Sequence, residues 1–155
     1  MSLELEVILE KIRCISTGGD DEPFGVDALE VRGGLGASVG REQWGDGNRE
    51  SHTFFRRPDD EGVRIPGGDF FAIQVGRRLI VHPNEFVWIG GRLMEDDDLS
   101  ADDDFNGGHT AIPFDYNFLN TYPTVVNEGH RTGVMFSTQG QEVEAVYFLK
   151  KLRNL

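Results

Sequence analysis

The stretch FVWIGGRLMEDDDLSADDDFNGG, residues 86–108, decides the fold, because it reads as a strand that leads straight into an acidic loop. Glu95, Asp96, Asp97, Asp98, Asp102, Asp103 and Asp104 put seven carboxylates into ten positions. Like charges so close repel and push one another toward protonation unless something positive intervenes. A hard divalent cation relieves that repulsion. Calcium takes about six to eight oxygens at about 2.3–2.6 Å in a flexible shell, which suits ligands gathered from separate loops; magnesium wants a stricter octahedron. For this run taken alone, a solvated acidic loop is the competing reading.

Outward from this stretch, the chain reads as short strands separated by turns. Residues 3–15 alternate apolar and polar with one slip, which predicts one or two strands with a bulge. STGGDDEPFG is a loop by composition, VDALEVRG resumes the alternation, and GGLGASVG reads as a turn. Residues 45–68 are polar and rich in Arg, Asp, Pro and Gly, and read as the least ordered part of the chain. FFAIQV and LIVHP flank GRR as a tight hairpin. HTAIPF, RTGVMFST and EVEAVYFLKKL follow, the last read as a strand with Val143, Ala145, Tyr147 and Leu149 on one face. The sum is an all-β antiparallel β-sandwich.

Composition sets the limits. At 155 residues the chain fits one domain with a core that needs no disulfide staples. A net charge of −12 repels polyanions, so nucleic acid is not the expected partner. Twenty glycines favour turns over long helices. The single Cys14 has no disulfide partner within the chain and reads as a small buried residue. The opening MSLELEVILEKIRC lacks the continuous apolar core of a signal peptide, and no apolar run has membrane-spanning length. Location in the cell is left open.

A second acidic segment matches the first in kind. DEPFGVD sets Asp21 and Asp27 six residues apart, and DDDLSADDDFNG sets Asp96, Asp98 and Asp104 in the order Asp, any, Asp, five others, Asp, Phe105, any, Gly107. In both spacings the chain resembles the C2 domain family, a Greek-key sandwich of about eight strands that binds calcium at three loops on one edge. The resemblance implies that Asp21, Asp27, Asp96, Asp98 and Asp104 are calcium ligands. It implies Phe24 and Leu99 at the loop tips, meeting a membrane surface or a protein partner in a calcium-dependent way. It treats residues 1–155 as one such domain with a polar insertion near 45–68. The family's Ser-Asp-Pro-Tyr run is Val26, Asp27, Ala28, Leu29 here, so only the aspartate matches.

Other chemistry is weaker. Asp102, Asp104, Asn106 and Gly107 open like an EF-hand loop, but Pro113 stands where its closing Glu belongs. The four histidines show no ligand spacing, and no nucleophile has a recognisable base, so an enzyme is not the expected reading. Arg77 and Arg78 are a candidate basic patch in the predicted hairpin turn. The alternatives to a calcium-dependent module are a structural sandwich of a larger assembly stabilised by calcium, and a carbohydrate-binding module using Trp44.

Overall fold

The computed structural model describes residues 1–18, 27–41, 48–96, 103–125 and 127–155. Among them are ten strand segments in two antiparallel sheets: β1 (Leu3–Thr17), β2 (Ala28–Gly40), β3 (Glu50–Arg57), β4 (Val63–Pro66), β5 (Phe70–Val81), β6 (Phe86–Glu95), β7 (Asp103–Asp104), β8 (Thr110–Asp115), β9 (His130–Thr138) and β10 (Gln141–Asn154). The first sheet runs β5-β1-β10-β9. In the second, β3 and β4 follow one another along one edge of β2, and β7 and β8 follow one another along the far edge of β6. Ten segments therefore fill eight strand positions, four in each layer.

Alternation places the core. In β1, Leu3, Leu5, Val7 and Leu9 face inward, and a register shift between Leu9 and Lys11 resets the phase so that Ile12 and Cys14 face inward too. Val143, Ala145, Tyr147 and Leu149 of β10 are all buried, on the face that period two assigns them. Each buried Leu, Ile or Val side chain among these stabilises the fold by about 1.5–3 kcal/mol relative to exposure. The Tyr147 hydroxyl crosses the sandwich to donate to the Gly36 carbonyl at 2.8 Å and lies 3.4 Å from that of Gly90, tying β10 to β2 and β6.

Three local expectations are corrected. GGLGASVG is no turn, since β2 runs unbroken from Ala28 to Gly40. Glycine is needed there for close approach: a Cβ on Gly36 would collide with the His52 carbonyl of β3. GRR is no hairpin either, because β5 pairs with β1 from Phe70 to Val81, with Gly76 set where a Cβ would come within 2.8 Å of Ile8. Arg77 and Arg78 thus lie mid-strand opposite Val7 and Glu6. The polar stretch 45–68 supplies β3 and β4, the edge of the second sheet, with Phe54 and Phe55 buried.

The connections between β1 and β2, between β4 and β5 and between β6 and β7 all leave one pole. At the opposite pole the chain ends pair, Leu155 N–H donating to Ser2 O at 2.8 Å.

Candidate metal centre at the acidic pole

Register brings the two acidic segments together. β6 ends beside the start of β2, with Val31 opposite Glu95, and the Asp96 N–H donates to the Glu30 carbonyl at 2.7 Å. Asp27 lies three residues before Glu30, so the backbones of Asp27 and Asp96 are about 10 Å apart along an extended strand. The β4–β5 turn closes the third side. Gly67 N–H donates to the Asp27 carbonyl at 3.0 Å, and a Cβ on Gly67 would lie 3.3 Å from the Thr17 methyl. Glu95 is 5% exposed at this pole, a carboxylate largely withdrawn from water.

Of the five aspartates that the spacing selects, Asp27, Asp96 and Asp104 are described. Asp21 and Asp98 lie outside the described residues, as do Phe24, Leu99 and Trp44. Among the described residues no three His, Cys, Asp or Glu side chains converge as a metal-binding group.

Asp104 is already engaged. β7 pairs it with Met94, and its carboxylate takes two hydrogen bonds from the Arg92 guanidinium, the Nε one at 2.9 Å. That fork holds the Asp104 carboxyl below its usual value, the hydrogen bond from Arg92 being the main cause and Arg32 a minor one. Arg32 is itself 2.8 Å from Asp59. Sequence reasoning missed Arg92; antiparallel pairing of β7 with β6, Met94 opposite Asp104, sets Asp104 beside the strand that carries Arg92. Asn106 is engaged as well. Its Oδ1 accepts from Ser137 N–H at 2.9 Å and its Nδ2 donates to Met135 O at 2.8 Å, fastening this segment to β9. The EF-hand reading fails on this geometry, since strands flank the segment and the Asn oxygen is spent on β9.

Eight strand positions in two antiparallel layers, with the described ends of both acidic segments at one pole, match the architecture that the resemblance implied. The fold is C2-like. No family model matches the chain, and no curated protein matches it in sequence. Solved structures with similarity include human GIVD cytosolic phospholipase A2, 9% identical with TM-score 0.46 over 97% of this chain and 16% of that one. A pair of C2 domains from Extended-Synaptotagmin 2, solved calcium bound, is 13% identical with TM-score 0.49 over 96% and 45%. A single C2 domain of a plant Extended Synaptotagmin 1 is 7% identical with TM-score 0.44 over 98% and 97%. This chain spans less than half the length of either of the first two.

Proposed function

We propose that the protein is a calcium-binding module that engages a membrane surface or a protein partner through its acidic pole when calcium is bound. The reading rests on one observation: the described ends of the two acidic segments, at Asp27 and Asp96, flank the same end of β2. Asp21, Asp27, Asp96 and Asp98 are the proposed ligands, joined by Asp104 once the cation displaces Arg92. Calcium then supplies the charge that neutralises these acids, and it stabilises the folded state by mass action. Phe24 and Leu99 are the proposed contacts with the partner surface. With a net charge of −12 on the chain, a protein or a neutral bilayer is favoured over anionic lipid.

Calorimetric titration with calcium tests the metal site. Wild type is expected to bind, and Asp98→Asn to bind much more weakly while unfolding at a higher temperature without calcium, because one repelling charge is gone. Absence of binding at about millimolar calcium would overturn the assignment. Sedimentation with phosphatidylcholine vesicles, with calcium and with chelator, separates docking from a purely structural role for the ion.

A further inference from the structure

The two edges of the first sheet are finished differently. At β9, Asn106 bonds to the outer side of the strand, its Nδ2 donating to Met135 O and its Oδ1 accepting from Ser137 N–H. At β5 the cover is confined to two points. The Arg49 guanidinium donates to Ile80 O, and further back Ile73 and Gln74 bulge against Glu10, with Gln74 in the left-handed region at φ 53°. Between these points lie residues 75–79, about 17 Å of extended chain, in which Val75, Gly76, Arg77 and Arg78 are exposed. Among the described residues no side chain bonds to this backbone.

Register shows which groups this edge offers. Ser2 and Leu155 exchange backbone hydrogen bonds, so Ser2 and the alternate residues after it, Glu4, Glu6 and Ile8, turn their N–H and C=O groups toward β10. Their opposites on β5, Ile80, Arg78 and Gly76, turn theirs away from β1. The Arg49 bond to Ile80 O agrees with this assignment. Gly76 and Arg78 therefore present unpaired ladder groups, N–H and C=O alike, along the edge. Side chains alternate as well: Arg78 stands beside Glu6 on the outer face, and Arg77 on the opposite face. Glu6 also stands opposite Lys150, and neither Arg77 nor Arg78 is in an ion pair with a described residue.

We infer that a partner protein adds an extended acidic segment to this edge, its main chain bonding to Gly76 and Arg78 and two neighbouring carboxylates meeting Arg77 and Arg78. In such strand addition the main-chain bonds supply affinity to any extended chain, and the side chains beside them select it. Here the selection is by charge. On a chain of net charge −12, these adjacent arginines lack carboxylates of their own. A second copy is opposed, because antiparallel pairing centred on residues 75–79 sets Arg77 of one copy against Arg77 of the other. A flat anionic bilayer is opposed too, since it lies against one face of the sheet and the arginines point to both. An added strand reaches both. Calcium plays no part in the contact.

The test is an NMR titration of isotope-labelled protein with the capped hexapeptide Val-Thr-Glu-Glu-Thr-Val, in chelator at about 50 mM salt, where screening is modest. Wild type is expected to bind by about 1 mM peptide, with exchange of the Gly76 and Arg78 amide protons slowed as the new ladder forms. Arg77→Gln with Arg78→Gln is expected to weaken binding about fivefold or more. Arg78→Pro, set beside Arg78→Gln, isolates the main chain. The Arg78 N–H faces away from β1, so proline removes a donor to the added strand and none from the sheet, and binding several-fold weaker than in Arg78→Gln is expected at a similar thermal midpoint. Should proline lower that midpoint, amide exchange in wild type makes the same distinction. The inference is overturned if the peptide fails to bind wild type, binds without slowing those amides, or binds the double glutamine variant equally well. It is equally overturned if phosphatidylserine vesicles, and not the peptide, respond to the arginine substitutions, or if the free protein is already a dimer with these amides protected. Because chelator is present throughout, failure here leaves the calcium reading intact, and failure to bind calcium leaves this one intact.

Discussion

Arg92 holds Asp104 in a fork that a cation would have to break to use this carboxylate. Removing the guanidinium leaves Asp104 with an oxygen pair to offer and removes a nearby positive charge, and both changes favour a divalent ion. Arg92→Gln is accordingly expected to raise calcium affinity several-fold by calorimetry; an unchanged or lower affinity would remove Asp104 from the ligand set. A second carboxylate responds to acid. Glu85 accepts from Arg49 at 2.8 and 3.0 Å and from His82 N–H, and these bonds, with Arg49 foremost, lower its pKa although burial opposes them. A lowered carboxyl pKa means that the unfolded chain takes up the proton first. The stability it contributes is complete above the ordinary value of 4.5 and is lost as pH falls through the folded value. In Glu85→Gln, the urea midpoint is expected to be lower at neutral pH and to fall less steeply between about pH 5 and about pH 3.

Among the elements, β10 binds the layers together through Tyr147, whose buried hydroxyl has its pKa raised by desolvation. Tyr147→Phe keeps the ring and removes the donor that the Gly36 and Gly90 carbonyls share. Chemical denaturation is expected to show a loss of about 1–2 kcal/mol with the unfolding slope unchanged. Strand β10 was readable from its period-two pattern, as was β1 with its bulge, because one face of each is fully buried and the pattern must match. Strands β2 and β5 were not, for a common reason. A glycine that permits backbones to approach, like Gly36 or Gly76, has the same local signature as one that permits a turn. Only the neighbour across the sheet distinguishes them, and the neighbour is remote in sequence.

At the scale of the molecule, the sandwich and its acidic pole followed from short alternating segments and from two crowded acidic stretches. The cross-strand row of Arg56, Gly34 and Arg92 did not, because its arginines come from two strands far apart in sequence and meet only through the register of β2. Arg92 beside Asp104 is a nearer case, twelve residues away on the directly paired strand, where charge spacing suggested a ligand and folding supplied a competitor. Pairing of the chain ends, with Leu155 bonded to Ser2, has a practical consequence. A short bridge between them would close the polypeptide into a ring, which could be reopened elsewhere as a circular permutant with its sheets intact. Anchored to a solid support by either terminus, the molecule would turn its carboxylate-rich end outward, unobstructed by the tether.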